Sequence, residues 1–227
     1  MAKAEVVTLP KVGMIQLVIQ SKRDIRAYEK KGNALDAESN EWFYWNRVWA
    51  SEVALSEFLI REFYPDSLKG KTILELGCGT GLAGLVSGKL GGVPTFSDKV
   101  PMVMESTREA CRLNGIQDFS TLVLDWAKWN GLTQRFDMVL GSEIFYDNAF
   151  LDDICRLLDH VMAVGGVGYF CDPNRLGLEA VQSSFAKWFT LTTRDLEVEW
   201  PPTRSGKVKK KIVLLYQLVK KSSGERK

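Results

Sequence analysis

The chain has 227 residues, enough for one α/β domain with a sizeable core, and its formal charge of only +2 does not predict a nucleic-acid partner. Its four cysteines are widely spaced without a C-x-x-C pair, which argues against a disulfide framework and a zinc site and leads us to expect no metal. Because it has neither an apolar stretch of about 18 residues nor a signal-peptide pattern, we expect a soluble, cytoplasmic protein with no membrane partner.

The first part of the chain, residues 1–40, is predicted to be an N-terminal extension, and residues 41–227 a single domain. Within the extension, the stretch from Val6 to Gln20 predicts a β-hairpin, because two apolar runs flank a turn that ends at Gly13. The stretch from Ser21 to Asn40 is polar, and we expect it to be irregular.

An aromatic segment, Glu41 to Trp45, precedes a predicted helix from about Trp49 to Phe63. Val53 and Ile60 fall on one face of that helix together with its two ends. The aromatic side chains could cover the sheet or line a site, and both interpretations stay open.

From residue 72 onward, strands alternate with helices. The predicted strands are Thr72–Leu76, Val93–Ser97, Ser120–Leu124, Phe136–Leu140 and Val167–Cys171, and the helices are Leu82–Leu90, Pro101–Leu113, Asp152–Met162 and Gly177–Trp188. This alternation predicts a parallel sheet with helices on both faces. Two more β-rich runs, Phe189–Glu199 and Lys210–Val219, predict an antiparallel hairpin at the sheet's edge. The predicted fold class is α/β, a Rossmann-like seven-strand sheet of the class I methyltransferase type.

Glu75 begins the segment Glu-Leu-Gly-Cys-Gly-Thr-Gly, in which a buried strand breaks into a glycine turn that opens a helix. Gly77, Gly79 and Gly81 can adopt left-handed backbone angles and let a nucleotide-like ligand approach the main chain. We therefore assign Glu75 and these three glycines to cofactor binding. The stretch to Gly84 also satisfies the G-x-G-x-x-G fingerprint, so the glycines alone do not separate an NAD enzyme from a methyltransferase.

Polar residues follow the next two strands at their carboxyl ends, where the ligand crevice of an open parallel sheet lies. Asp98 is placed to accept hydrogen bonds from two ribose hydroxyls, although an Asp just before Pro101 could instead cap a helix. Asp125 and Trp126 suit an adenine, with the carboxylate accepting from its amine and the indole beside its ring. A turn position for Asp125 and a core position for Trp126 are the alternatives.

Ser142 and the residues up to Tyr146 follow the fourth strand, where the reactive end of a cofactor would lie. We assign Ser142 to the cofactor, and Glu143 and Tyr146 to catalysis. The last two side chains meet on one side only if the chain turns after Gly141, since an extended strand would point them oppositely.

These motifs resemble those of the S-adenosylmethionine-dependent protein lysine methyltransferases of methyltransferase family 16. The motifs are Val48-Trp49-Ala-Ser51, Glu75 to Gly84, Asp98, Leu124-Asp125-Trp126 and the acid-x-x-Tyr motif Glu143-Ile-Phe-Tyr146. The resemblance implies that Trp49, Asp125 and Trp126 contact the cofactor, and that Glu143 and Tyr146 face the target amine.

The resemblance further implies S-adenosyl-L-methionine as the cofactor and a protein side chain, first of all lysine, as the acceptor; we expect the enzyme to be a monomer. Glu143 stands where many members carry Asp, and some members that modify histidine also carry a Ser-Glu-x-x-Tyr form. Asp172-Pro-Asn-Arg175 only approaches the Asp-Pro-Gly-Arg of members acting on electron-transfer flavoprotein. A small-molecule methyltransferase, a histidine methyltransferase and a cofactor-binding interaction module without catalysis are the alternatives.

Overall fold

The computed structural model describes residues 3–29, 44–129, 131–200 and 209–222. The strands are β1 (Lys3–Leu9), β2 (Gly13–Ile19), β3 (Thr72–Leu76), β4 (Val93–Asp98), β5 (Ser120–Val123), β6 (Phe136–Ser142), β7 (Met162–Asp172), β8 (Phe189–Trp200) and β9 (Lys209–Lys220). The helices are α1 (Lys22–Glu29), α2 (Ala50–Phe63), α3 (Leu82–Lys89), α4 (Pro101–Leu113), α5 (Leu151–Val161) and α6 (Leu178–Phe185).

A seven-stranded sheet in the order β5-β4-β3-β6-β7-β9-β8 forms the centre of the molecule. The first five strands in this order pair in parallel, β9 runs antiparallel to β7, and β8 pairs antiparallel with β9 at the edge. The predicted fold class is confirmed, including the antiparallel C-terminal hairpin.

Both faces of this sheet are covered, so successive residues of a strand enter different cores. In β3, Ile73 belongs to the cluster that includes Leu55 of α2, whereas Leu74 belongs to the cluster that includes Leu157 of α5. This alternation follows from the two-residue repeat of a strand. The carboxyl ends of the parallel strands are thereby held at one edge between two packed layers.

The predicted N-terminal hairpin is confirmed as β1 paired antiparallel with β2. Ile15 and Leu17 of β2 are fully buried in the core cluster that also contains Ile73 of β3. The Gln16 amide donates to Asn114 Oδ1 at 3.0 Å, and Asn114 Nδ2 donates back to the Gln16 carbonyl at 2.7 Å. Asn114 at the end of α4 therefore binds the hairpin to the main body.

The prediction of an irregular segment after this hairpin is wrong for Lys22–Glu29, which form α1. The Asp24 amide donates to the Ser21 hydroxyl at 3.2 Å, which in turn donates to Asp24 Oδ2 at 2.6 Å, so Ser21 caps the helix. Ile25 is buried and joins the core. The rest of the segment predicted to be irregular, residues 30–40, lies outside the described residues.

The structure also bears on the expectations about cysteines, membrane-spanning segments and metal sites that were drawn from the composition. The four cysteines are free and buried. Within the described ranges, the structure contains no helix of the length and apolarity that a membrane crossing needs. The same ranges contain no group of three or more His, Cys, Asp or Glu side chains placed to share a metal ion.

Candidate functional site

The glycine turn lies at the carboxyl end of β3, and its shape depends on glycine. Gly77, Gly79 and Gly81 have φ values of 60°, 50° and 76°, in the left-handed region that side chains disfavour. A Cβ on Gly77 would lie 3.1 Å from the Trp126 ring, and one on Gly79 would lie 3.0 Å from the Trp45 carbonyl oxygen. The turn is therefore lined by two aromatic residues from distant parts of the chain.

Two buried carboxyl groups accept hydrogen bonds from backbone amides in the first turn of α3, the helix that follows the glycine turn. Glu75 is 1% exposed, and its Oε2 accepts the Gly84 amide at 3.0 Å. Glu52 of α2 accepts the Leu82 amide at 2.9 Å and the Thr80 hydroxyl at 2.6 Å. These bonds satisfy backbone donors that would otherwise face a ligand at a helix N-terminus. The structure thus places Glu75 beneath the turn.

Burial controls the ionisation of this pair. It raises the pKa of Glu52 to about 7, an effect that the hydrogen bonds from Thr80 and Leu82 oppose. It raises the pKa of Glu75 well above its usual range, and the neighbouring Glu52 raises it further. Both shifts favour the protonated forms, since two buried carboxylates disfavour joint ionisation.

Asp98 at the end of β4 is buried and bonded to the backbone on both oxygens. Its Oδ2 accepts the Gly79 amide at 3.2 Å, and its Oδ1 accepts the Val100 amide at 3.0 Å ahead of α4. Burial raises the pKa of Asp98, which the bonds from Val100 and Gly79 partly offset. The side chain thus ties the glycine turn to the chain before α4, and its carboxylate has room for a further donor, since a carboxylate has about four acceptor positions.

Asp125 and Trp126 follow β5, and the two side chains have different surroundings. The Asp125 side chain is half exposed, and its Oδ1 accepts the Ala127 amide at 3.0 Å, which makes it a turn former. The Trp126 ring lies against Gly77, and its centroid is 6.2 Å from that of Tyr146. Trp126 therefore connects the ends of β3, β5 and β6.

The chain turns at the end of β6, which is the condition for Glu143 and Tyr146 to lie on one side. Ser142 is the last residue of β6, and Glu143 has a φ of 56° in the left-handed region. The Glu143 amide donates to the Cys171 carbonyl at 2.8 Å, which holds this conformation. Tyr146 is 43% exposed and contacts Trp126.

The carboxylate of Glu143 is held by residues that no predicted role included. The Ser51 hydroxyl donates to Glu143 Oε1 at 2.8 Å, and the Arg175 guanidinium forms an ion pair with Glu143 Oε2. Ser51 lies in the first turn of α2, and Arg175 lies in the loop after β7. Both stand inside motifs that sequence comparison singles out, but spacing along the chain does not reveal that they converge.

Trp49, at the start of α2, extends this cluster. Its Nε1 donates to the Tyr44 carbonyl at 2.8 Å, and the two rings stack with centroids 5.8 Å apart. The guanidinium carbons of Arg47 and Arg175 lie 4.1 Å and 5.8 Å from the Trp49 ring centroid. Trp49 is thus part of the wall beside Glu143. Trp42, predicted with this aromatic segment, lies outside the described residues.

Comparison with known sequences identifies the protein family to which this chain belongs. The family profile described as lysine methyltransferase matches residues 36–190, more than half of the chain. The chain belongs to this family. The match includes β3 to β7 and every residue that we assigned to the site.

Curated relatives carry names of protein methyltransferases. The human histone-arginine methyltransferase METTL23 is 31% identical over 51% of this chain and 62% of its own length. The Rattus norvegicus electron transfer flavoprotein beta subunit lysine methyltransferase is 30% identical, over 58% of this chain and 51% of its own. The Danio rerio protein N-lysine methyltransferase METTL21A is 30% identical, over 50% of this chain and 54% of its own. The chain thus spans about half the length of the curated relatives it matches.

Solved structures resemble the fold. The Thermus thermophilus 16S rRNA N2 G1207 methyltransferase RsmC, solved with AdoMet and guanosine, has a TM-score of 0.66 at 14% identity, covering 98% of this chain and 51% of that chain. A structure described by the conversion of a disulfide into a thioacetal during echinomycin biosynthesis has a TM-score of 0.62 at 18% identity, covering 74% and 83%. At these identities the likeness establishes the fold alone.

Proposed function

We propose that this protein is an S-adenosylmethionine-dependent methyltransferase that transfers a methyl group to a protein side chain, namely lysine. The observation that carries the proposal is the pair of buried carboxyl groups, Glu52 and Glu75, on the first-turn amides of α3. Membership of the lysine methyltransferase family supports it, as do the names of two of the relatives described above, the electron transfer flavoprotein beta subunit lysine methyltransferase and METTL21A.

The carboxyl pair distinguishes between the two cofactors that the glycine motif allows. A dinucleotide places its pyrophosphate on the free amides of a helix N-terminus. Here the amides of Leu82 and Gly84 already bond to carboxyl oxygens, and a phosphate would face acidic groups. S-adenosylmethionine carries no phosphate and is positively charged at sulfur, so the turn suits it better.

For this cofactor, the residues at the strand ends have complementary roles. The Asp98 carboxylate would accept from a ribose hydroxyl, and the half-exposed Asp125 would accept from the adenine amine. The Trp126 ring and the glycine turn would flank the adenosyl moiety, and Trp49 and Ser142 would lie beside it. Glu75 supports the turn from below through Gly84.

S-adenosylmethionine, when bound, would supply a methyl group on a positively charged sulfur, and the acceptor lone pair would form the N–C bond as the C–S bond broke with its electron pair left on sulfur. The protein's task is to align a neutral amine in line with that bond. In this proposal Glu143 would accept an N–H of the amine, and Tyr146 would border the same amine. The proton of the lysine ammonium passes to solvent before attack.

The proposal is tested with labelled S-adenosylmethionine and a dialysed cell extract, followed by mass spectrometry of the labelled residue. We expect label on lysine, and no loss of label transfer when NAD is added in excess. Label confined to small molecules would overturn the protein acceptor. Label on arginine or histidine would retain the cofactor and change the target side chain.

A further inference from the structure

Arg175 is a charged residue of the site to which the sequence motifs assign no role. Its guanidinium pairs with Glu143 Oε2 while the Ser51 hydroxyl donates to Oε1, and the Glu143 side chain is only 10% exposed. A carboxylate has about four acceptor positions, so two remain for a substrate N–H. Arg175 therefore contacts the same carboxylate that we propose to bind the acceptor.

The loop that carries Arg175 is built to hold it. The Arg175 amide donates to Oδ1 of the buried Asp172 at 3.0 Å. Asn174 has a φ of 63°, in the left-handed region, and its Oδ1 accepts the hydroxyl of the buried Tyr216 at 3.2 Å. A strained residue fixed from two sides indicates that the position of the next side chain matters.

A lone carboxylate beside a lysine would oppose the reaction. An opposite charge within hydrogen-bonding distance favours the ammonium and raises its pKa by about 1 to 3 units. Only the neutral amine has the lone pair that attacks carbon. A residue that orients the acceptor must therefore do so without stabilising the ammonium form, which has to lose a proton before the nitrogen can attack.

We propose that Arg175 is a positioning residue that neutralises the charge of Glu143, so that Glu143 orients the acceptor amine without holding it as an ammonium. This inference rests on the proposed function, because it requires an amine beside Glu143. The guanidinium is suited to the task, since it stays charged at every pH that proteins tolerate.

Other charged or titratable groups also face this space. Arg47 lies over Trp49, Tyr44 stacks on the same ring, and Tyr146 borders the site from the loop after β6. Asp172 lies beneath Arg175, and burial raises its pKa to about 6. Measurements between about pH 7 and 9 keep Asp172 ionised and stay below the ordinary tyrosine pKa of about 10.

The test is the pH dependence of methyl transfer by the full chain, with labelled S-adenosylmethionine and the extract fraction that the unaltered protein labels. Arg175→Gln leaves Glu143 uncompensated, so we expect the rising limb of the profile to move up by at least about one pH unit. Arg175→Lys keeps the charge and should keep the limb. Arg194→Gln is the matched control, because Arg194 pairs with Glu62 away from the strand ends.

The position of the limb separates this role from a purely structural one. A structural role would lower the plateau or the cofactor affinity of Arg175→Gln but leave the limb unmoved, and that result would overturn the inference while the proposed function stands. If Arg175→Gln does not fold, a limb that shifts in Arg175→Lys by as much as one unit would also overturn it. No transfer by the unaltered protein at any pH would overturn the proposed function and this inference together.

Discussion

The candidate site lies along the carboxyl ends of the parallel strands, and its two halves are held together by different kinds of hydrogen bond. In the glycine half, formed by Glu75, Gly79 and Asp98, polar groups are buried and bonded mainly to backbone amides. In the Glu143 half, formed by Ser51, Glu143 and Arg175, side chains bond to side chains that lie 92 and 32 residues apart in sequence. The first arrangement suits an invariant ligand held against the main chain, and the second suits recognition of a variable acceptor.

The largest expected effect separates the halves by function. Glu143→Gln replaces one carboxylate oxygen with an amide nitrogen and so disrupts the contacts with Ser51, Arg175 and the acceptor amine, and methyl transfer should fall by about 100- to 1,000-fold. Cofactor affinity, measured by calorimetry, should change by less than about twofold, because the glycine half is untouched. Glu62→Gln, on an exposed glutamate paired with Arg194, serves as the control. Loss of cofactor binding in proportion to activity would join the two halves into one site.

The second prediction concerns the stability of the glycine half. Burial raises the pKa of Glu52 from 4.5 to about 7, so between these values the folded protein binds more protons than the unfolded chain. Its stability should therefore fall as the pH rises through this interval and level off above it, by on the order of 3 kcal/mol for this group.

Glu52→Gln keeps an oxygen acceptor for Leu82 and Thr80 but cannot ionise, so it should remove that part of the fall. Urea denaturation of both proteins at about pH 5 and 8 provides the comparison. Equal pH dependence of the two would show that Glu52 ionises as readily in the folded protein as in the unfolded chain.

A third change probes the packing beneath the turn. A Cβ on Gly84 would lie 2.5 Å from Glu75 Oε2 and would also meet the Phe96 ring. Gly84→Ala should therefore lower the free energy of unfolding by about 1 to 3 kcal/mol. Gly88 lies in the same helix, where the nearest atoms to a Cβ belong to the Ile116 side chain, at 3.0 Å and beyond. Gly88→Ala should change stability by less than about 1 kcal/mol, and equal effects of the two would refute the packing argument.

The smallest expected effect tests the ribose assignment. Asp98→Asn keeps one carbonyl acceptor but removes the charge, so S-adenosylmethionine affinity should fall by about 1 kcal/mol, or roughly fivefold. Asp118→Asn, on an exposed aspartate ahead of β5, should leave affinity unchanged. Calorimetry with the product S-adenosylhomocysteine gives the same comparison without turnover. An unchanged affinity in Asp98→Asn would limit Asp98 to its backbone bonds with Gly79 and Val100.

The sequence was sufficient for the elements whose signals are local. Alternating apolar runs located the parallel strands, and Pro101 and Asn114 correctly bounded α4. The strand-end rule then brought the glycine turn, Asp98 and Trp126 together, because parallel strands of similar length end at one edge. Sequence reasoning did not predict helix α1, because the polar composition of this segment favours irregular structure and the capping residue Ser21 is a weak local signal on its own.

Tertiary structure alone decided the Glu143 half. Sequence spacing could not show that Ser51 and Arg175 both reach Glu143, because each lies in a different loop or helix and the contact depends on packing of α2 against the sheet. Nor could it show that the Glu52 and Glu75 carboxyl groups accept hydrogen bonds from backbone amides of α3, since a carboxyl group in a helix or strand ordinarily faces solvent. Periodicity determines which face of an element is buried, whereas the bonding of a buried polar group depends on which element covers it.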